Sequence, residues 1–259
     1  MVFSPYAVDA PMCRTPVANF VILGVTVLLT FLFWQNQRSM FPYMVMGSQN
    51  VYIGKESKVI RIPGSEYVYI IKDSKSIRVP AGELTNDGML ILPASNALSW
   101  IGHMFAHAGF FHLLSNMIFL YLFGNAVCAK LGNLRYLLFY LLGGIAAAMT
   151  QLVFSPGAMI GASGAINAVV GAYLLLFPRH KVHCWFLIFF RPITYSVPGV
   201  VAILTWFVFD LWGVYSGGDG RTGYVAHIGG FLFGAAIMTL MLKCERLSYL
   251  CSRSYFENR

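Results

Sequence analysis

Six long apolar runs are the feature of this sequence that most restricts its fold. They lie at about residues 17–35, 107–127, 133–154, 163–178, 197–215 and 224–242. A helix crosses a bilayer with roughly 20 apolar residues, and in lipid a helix satisfies its own backbone hydrogen bonds. A mean hydropathy of +0.66 with 11% charged residues is far outside the range of soluble domains. The sequence therefore predicts an all-α polytopic membrane protein with six transmembrane helices.

The apolar runs divide the chain into regions. We expect a cytoplasmic tail at 1–16, a first transmembrane helix at 17–35, an extracytoplasmic loop at 36–106, helices two to six within 107–242 and a cytoplasmic tail at 243–259. From about residue 50 to 93, short β-rich runs alternate with turn signals. They predict a small β-rich insertion in the first loop. It could serve as a lid or a spacer, and a partner-binding role stays open.

Basic residues are distributed unevenly between the two sides of the predicted membrane. The short loops on the side away from the N terminus hold only Arg221. The side that holds the N terminus carries ten basic residues, Arg14, Lys130, Arg135, Arg179, Lys181, Arg191, Lys243, Arg246, Arg253 and Arg259. Because short cytoplasmic loops are enriched in Lys and Arg, we expect both termini to be cytoplasmic. The net charge of +8 then fits contact with anionic lipid and requires no nucleic acid.

The first apolar run and the cysteines bear on the compartment. The run is too long for a signal peptide and no small-residue cleavage site stands out before Trp34, so we expect it to be retained. No Arg- and Ser-rich transit peptide precedes it, which favours a bacterial plasma membrane over a eukaryotic secretory membrane. The cysteines all lie at or near the predicted cytoplasmic side, where thiols stay reduced, which agrees with that orientation, and an odd, scattered set predicts unpaired thiols. They are Cys13, Cys128, Cys184, Cys244 and Cys251.

A histidine-rich segment begins the second apolar run. His112 and Asn116 are four residues apart, so on a helix they share a face, about 6 Å apart along the axis, and could donate two hydrogen bonds to one oxyanion. His103 and His107 have the same spacing, which would also suit metal or haem ligands. Because no carboxylate or cysteine accompanies them on that side, we favour hydrogen bonds that support the long loop.

Ser163 lies among small residues at the start of the fourth run, which also carries Asn167. The run has at most about 16 residues, or roughly 24 Å, against a hydrocarbon core of about 30 Å, so its helix starts below the membrane surface. Its preceding segment, with Pro156-Gly157, can enter the membrane only where protein or water covers the backbone. At a helix start the dipole favours a developing negative charge. Close packing of small residues is the alternative.

His227 lies in the sixth run, on the same helical face as Gly230 and Gly234. Small residues at this spacing let a neighbouring helix approach closely. The facing surface would come from Gly164, Ala168 and Gly171 of the fourth run. If these surfaces pack together, His227 and Ser163 come within hydrogen-bond reach, and an adjacent histidine activates a serine as a nucleophile. A buried histidine satisfied by a neighbour is the alternative.

Three motifs stand in a fixed order on three of the predicted helices. They are His112-Leu-Leu-Ser-Asn116, Gly161-Ala-Ser-Gly164 and Ala226-His227-Ile-Gly-Gly230-Phe-Leu-Phe-Gly234, with His107 five residues before the first. Together they resemble the rhomboid family of intramembrane serine proteases. Each motif alone is weak, but the ordered set is specific. The resemblance covers about 17–35 and 97–242 and implies a six-helix rhomboid-like bundle.

The resemblance also implies roles for individual residues. Ser163 would be the nucleophile and His227 its general base, in a dyad with no third acidic member. His112 and Asn116, with the Ser163 backbone N–H, would form the oxyanion hole. The supporting positions would be Gly161, Gly164, His107, Asn167, Gly230 and Gly234. The implied activity is a serine endopeptidase that cleaves single-pass membrane proteins in or near their transmembrane segment.

The sequence departs from the family pattern in several places. Leu98-Ser99 stands where many members carry Trp-Arg, and Asn167 stands where a tyrosine often stacks on the catalytic histidine. The β-rich insertion is longer than that loop usually is. Asp210, near the end of the fifth run, could be a third catalytic member, but we expect it to face a water cavity or to pair with Arg221.

The expected partners are transmembrane protein substrates and the lipid bilayer, without nucleic acid, metal or organic cofactor. Two other classes of function remain as alternatives. A non-proteolytic rhomboid-like membrane chaperone or binding protein would normally lack Ser163 or His227, and both are present. A small transporter or haem-binding protein would more often place polar residues at the bilayer midplane on several helices.

Overall fold

The computed structural model describes the helical part of the chain together with short strands. The described residues are 3–36, 50–52, 58–61, 67–72, 75–80, 83–84, 89–91, 97–155, 159–188, 191–217 and 222–243. The predictions for Pro156-Gly157, for Arg221 and for the tail after residue 243 lie outside these residues. So does much of the predicted first loop.

The described part of the chain is mostly helical. Its helices are α1 (Val17–Gln35), α2 (Ser99–Gly102), α3 (Phe110–Leu131), α4 (Asn133–Phe154), α5 (Ser163–Leu176), α6 (Gly199–Tyr215) and α7 (Tyr224–Lys243). A 3-10 turn at His103–Phe105 follows α2, and a π-helical turn at Leu120–Gly124 interrupts α3. Within these residues α1, α3, α4 and α7 are long and apolar enough to cross a membrane, and α5 and α6 are shorter apolar helices.

Besides its helices, the described part of the chain forms a three-stranded antiparallel sheet. It has the order β1-β8-β9, formed by β1 (Phe3–Val8), β8 (Lys181–Ile188) and β9 (Arg191–Pro198). The all-α prediction missed this sheet. The apolar part of β8 is too short to cross a membrane, and its pairing with β1 joins segments more than 170 residues apart, as in Val8 with Val182. Hydropathy along the chain carries no information about such a pairing.

The described residues between α1 and α2 form six short strands. They are β2 (Asn50–Tyr52), β3 (Lys58–Arg61), β4 (Tyr67–Lys72), β5 (Lys75–Pro80), β6 (Glu83–Leu84) and β7 (Met89–Ile91). They form two antiparallel sheets, β2-β7-β6 and β3-β4-β5. The placement of these strands outside the membrane stays a prediction.

The cysteines only partly follow the expectation of unpaired thiols. Cys128 and Cys184 are free and buried. Cys13 is disulfide-bonded, so the prediction was wrong for this residue. Spacing along the chain does not reveal which thiols become neighbours in the fold. The cysteines therefore give no support to the predicted orientation, which rests on the Lys and Arg distribution.

Asn19 of α1 ties the π-helical turn of α3 to α4. Its side-chain amide donates to the carbonyl oxygen of Leu120 and to Oδ1 of Asn125, both at 2.8 Å. The Tyr136 hydroxyl donates to Asn19 Oδ1 at 2.6 Å. Asn19 is fully buried. A buried polar group needs such partners, so this one side chain satisfies groups on two other helices.

We expect Asn19→Ala to destabilise the protein strongly. The change leaves the Leu120 carbonyl, Asn125 and the Tyr136 hydroxyl without this partner inside the bundle, so the free energy of unfolding should fall by about 2–4 kcal/mol. Thermal unfolding of the detergent-solubilised protein measures the effect. Asn36→Ala, at the exposed end of the same helix, is the control, and an equal loss in both variants would contradict the role of Asn19.

Candidate active site

The close crossing of α5 and α7 brings together the motif around Ser163 and the motif around His227. A Cβ atom on Gly230 would collide with the carbonyl oxygen of Gly164, and one on Gly234 would collide with that of Ala168. A Cβ on Gly171 would likewise strike the backbone of Phe231. The two helix backbones therefore touch without intervening side chains, as small residues at this spacing allow. Ser163 and His227 lie at one end of this contact.

Ser163, His227 and Asp210 form a continuous hydrogen-bonded chain across α5, α7 and α6. His227 Nε2 lies 2.9 Å from Ser163 Oγ, and His227 Nδ1 lies 3.0 Å from Asp210 Oδ1. An ionised carboxylate only accepts hydrogen bonds, so this network assigns the ring proton to Nδ1. His227 Nε2 then has a free lone pair and accepts a hydrogen bond from the Ser163 hydroxyl. This is the arrangement in which a histidine can act as a general base.

Asp210 faces the cavity, as the sequence predicted, and has a partner there that was not predicted. It lines the same cavity as Ser163, and its hydrogen-bond partner is His227. Arg221, the other partner considered, lies outside the described residues. The contact of Asp210 with His227 was not predicted. The two residues are 17 positions apart on different helices. Their contact depends on how α6 packs against α7, and the sequence alone does not specify that packing.

Asn167 contacts the serine segment. Its side-chain amide donates to the carbonyl oxygen of Ser163 at 2.9 Å, one helical turn back. An aromatic ring still lies near the histidine, because the Tyr224 ring centroid is 6.3 Å from that of His227 with the planes at 75°. This ring comes from α7 itself, three residues before the histidine. Sequence reasoning missed Tyr224, although the i, i+3 spacing could have indicated it.

Gly161 lets the ring of His112 pack against the serine loop. Its backbone φ is +125°, in a region that L side chains rarely adopt. A Cβ atom there would lie 2.8 Å from Cε1 of His112. The His112 ring also meets the His107 ring edge-on, with centroids 4.9 Å apart. Asn116, one turn after His112, donates its side-chain amide to the His112 carbonyl oxygen at 2.8 Å.

His107 joins the serine loop to α1. Its Nε2 accepts the backbone N–H of Ala162 at 3.2 Å, so its proton is on Nδ1, which donates to Thr30 Oγ1 at 3.1 Å. The Thr30 hydroxyl in turn donates to the carbonyl oxygen of Phe105. Burial, and to a lesser degree the nearby His112, lower the pKa of His107 to about 3. The ring is therefore neutral at neutral pH, as its acceptor role requires.

We expect His107 to make the protein sensitive to acid. The His107 ring binds a proton near pH 6.5 in the unfolded chain and only near pH 3 in the folded protein. The contribution of His107 to the free energy of unfolding is therefore complete above pH 6.5 and is lost as the pH falls towards 3. His107→Gln keeps an acceptor near the Ala162 N–H. It should lower the slope of the free energy of unfolding against pH by about 1.4 kcal/mol per pH unit. Unfolding midpoints between pH 7 and 4 measure this, and an unchanged slope would contradict it.

Ser99 and His103 anchor the segment before α3. His103 Nδ1–H donates to the Ser99 carbonyl oxygen at 2.8 Å, and the His103 carbonyl accepts the Gly161 N–H at 2.8 Å. The Ser99 side chain is buried, whereas Leu98 is exposed. Ser99, at a position where many family members carry Arg, thus holds the segment before α3 through its backbone carbonyl and the buried His103. His103 in turn supports the loop that carries Ser163.

The site lies in a cavity of about 1130 Å³ between α3, α4, α5, α6 and α7. The catalytic candidates share this space with several large apolar side chains. Its lining includes His112, Asn116, Ser163, Asn167, Asp210 and His227. Among the described residues, no cluster of three or more His, Cys, Asp or Glu side chains could hold a metal ion. The arrangement is suited to nucleophilic attack by a serine on a carbonyl group.

Comparison with known proteins identifies the family. The family described as "Rhomboid domain" matches residues 94–244, more than half of the chain and all of the site. The chain belongs to the rhomboid family. Its mostly helical architecture and apolar helices make it an integral membrane protein of this family.

Several curated proteins resemble this rhomboid chain. "Rhomboid protein 1, mitochondrial" of Saccharomyces cerevisiae is 30% identical over 155 residues, which are 54% of this chain and 40% of the yeast protein. "Rhomboid protease GluP" of Bacillus subtilis is 33% identical over 128 residues, 49% of this chain and 23% of that protein. "Rhomboid protease GlpG" of Haemophilus influenzae is 26% identical over 140 residues, 54% of this chain and 67% of that protein.

The matches cover unequal parts of these relatives. The chain spans less than half the length of the yeast and Bacillus proteins that it resembles. Two of the three relatives are named proteases, and one is named mitochondrial. The family match over residues 94–244 includes both Ser163 and His227.

Proposed function

We propose that this chain is an intramembrane serine endopeptidase that cleaves single-pass membrane proteins in or near their transmembrane segment. The observation that carries the proposal is the 2.9 Å contact between Ser163 Oγ and His227 Nε2. The contact lies in a cavity between apolar helices, lined by both polar and large apolar side chains. A serine and an unprotonated histidine nitrogen at this distance form an activated nucleophile.

The proposed reaction is acyl transfer in two halves. His227 Nε2 takes the hydroxyl proton as Ser163 Oγ attacks the carbonyl carbon of the scissile peptide bond. The resulting tetrahedral intermediate collapses when His227 returns the proton to the leaving amine, which leaves an acyl-enzyme. Water, deprotonated by the same nitrogen, then hydrolyses the ester and regenerates Ser163.

The oxyanion hole is proposed at the start of α5. The Ser163 N–H lies at the positive end of a helix dipole. His112 and Asn116 line the same cavity from α3. One amide proton of Asn116 is used by the His112 carbonyl, and its second remains for a substrate oxygen. Donors fixed in advance stabilise the developing charge without reorganisation. Gly161 and His107 would hold this loop in place.

The proposed membrane arrangement has six spans, with the two shorter helices α5 and α6 completing the bundle. An α5 of 14 residues covers roughly 21 Å, so Ser163 would lie below the membrane surface. The Lys and Arg distribution supports cytoplasmic termini and a β-rich insertion on the opposite side. A transmembrane substrate would reach Ser163 from the bilayer, after local unwinding exposes a carbonyl that helical hydrogen bonds otherwise occupy.

A fluorophosphonate activity probe on isolated membranes tests the proposal. We expect the wild-type protein to be labelled and Ser163→Ala to be unlabelled. Ser196→Ala is the matched control, because Ser196 also hydrogen-bonds a histidine, His183 at 2.7 Å, but lies exposed on β9. Labelling should survive in this control. A folded wild-type protein that neither reacts with the probe nor cleaves a transmembrane reporter would overturn the proposal and favour a non-proteolytic binding protein.

A further inference from the structure

We infer that Asp210 is a positioning residue for His227, so that the proposed protease works with a serine, histidine and aspartate in sequence. The inference rests on the proposed function of Ser163. Its basis is the 3.0 Å distance between Asp210 Oδ1 and His227 Nδ1, on the ring nitrogen opposite to the one that faces Ser163. The two side chains are only 16% and 15% exposed, so water competes weakly for this contact.

Regular packing between α6 and α7 fixes this distance. Phe207 stacks on Phe231 with ring centroids 4.5 Å apart, three residues before Asp210 on α6 and four residues after His227 on α7. On the other side, Gly213 lies against Tyr224, where a Cβ on the glycine would be 2.5 Å from the tyrosine ring. The three pairs lie along one antiparallel helix contact, with the hydrogen-bonded Asp210 and His227 in the middle.

The carboxylate would act on the histidine in two ways. It accepts the Nδ1 proton and so fixes the tautomer whose Nε2 lone pair faces Ser163. It also stabilises the imidazolium that forms when the serine proton is transferred, because an opposite charge within about 4 Å favours the charged form. In water-accessible surroundings these effects would be small, but in a partly closed cavity they are stronger.

The other titratable groups near His227 do not replace this role. His112 faces it across the cavity from α3 and carries no negative charge. Tyr224, on α7 itself, meets the ring edge-on. The Ser163 hydroxyl forms a hydrogen bond with the other ring nitrogen, Nε2. Within the described part of the chain, Asp210 is the acidic group bonded to His227.

A second aspartate–histidine pair in the same chain supplies a matched control. His183 Nε2 lies 2.7 Å from Asp9 Oδ1, while His183 Nδ1 lies 2.7 Å from Ser196 Oγ. This pair lies on the β1-β8-β9 sheet, with side chains 25% and 51% exposed. Asp9→Asn therefore removes a chemically similar bond far from the cavity and should leave cleavage unchanged.

The test compares wild type, Asp210→Asn, Asp210→Glu and Asp9→Asn in detergent, with a transmembrane reporter as substrate. In Asp210→Asn the amide can donate to Nδ1 and place the ring proton on Nε2, facing the serine. We expect kcat to fall by about 10²–10⁴-fold. The loss should fall on kcat, with KM for the reporter within about threefold of wild type, because the carboxylate acts on His227 during proton transfer and not on substrate binding. Asp210→Glu should recover part of the rate.

The outcomes separate the two proposals. A kcat of Asp210→Asn within about threefold of wild type would overturn the role of Asp210 while leaving the protease intact. A loss of rate that only matches the loss of folded protein, or that falls on KM and not on kcat, would also overturn it. A purely structural role changes the amount of active enzyme and not the rate per folded molecule. Failure of the wild type to cleave would instead overturn the proposed function.

Discussion

Replacing Ser163 or His227 with alanine is expected to lower kcat for cleavage of a transmembrane reporter by at least about 10⁴-fold, and the double replacement should lower it no further. The nucleophile and its base act as one unit, joined at 2.9 Å, so removal of either abolishes the same proton transfer. A residual rate above that of water should remain, because His112 and Asn116 can still polarise a bound carbonyl.

Kinetics of the three variants check this expectation. Each variant is compared with wild type for its unfolding midpoint in detergent, so that loss of folded protein is not counted as loss of catalysis. Ser196→Ala is the control for loss of a serine–histidine hydrogen bond in general. Independent effects, in which the double variant is slower than wild type by the product of the two single losses, would show that Ser163 and His227 do not act on one step.

Hydropathy and spacing predict most of the helical frame and the neighbourhood of the site. Apolar runs locate helices because lipid-facing residues must be apolar along their whole length, and the observed α4 at Asn133–Phe154 matches its predicted run. Small residues at Gly230 and Gly234 indicated the close approach to α5, because only a small side chain permits backbone contact. Family membership is confirmed by the match over residues 94–244.

Features that depend on pairing between distant segments could not be predicted in this way. The β1-β8-β9 sheet joins the first residues of the chain to a segment between α5 and α6. The contact of Asp210 with His227 depends on the rotation of α6, which presents Phe207, Asp210 and Gly213 along one face. When a helix is apolar on all sides, its sequence carries little information about which face packs inward. The sequence of α6 therefore does not indicate which residue Asp210 contacts.

Gly230→Ala is expected to separate His227 from Ser163 and to lower kcat by about 10²-fold. The new Cβ would collide with the Gly164 carbonyl oxygen, and a backbone atom within a helix cannot rotate aside. α7 must therefore move away from α5 by roughly 1 Å, and a displacement of this size at a catalytic group costs about two orders of magnitude. Overpacking should also lower the free energy of unfolding by about 1–3 kcal/mol.

Gly24→Ala is the matched control, because it places the same methyl group on a glycine of another apolar helix with nothing within 4 Å of the new atom. It should leave both activity and the unfolding midpoint unchanged, or raise stability slightly through better helix propensity. If Gly230→Ala behaved like this control, the backbone contact between α5 and α7 would not set the distance between Ser163 and His227. A large loss in Gly230→Ala alone would instead tie the chemistry of the site to the closeness of these two helices, since neither Gly230 nor its methyl group touches the reacting atoms.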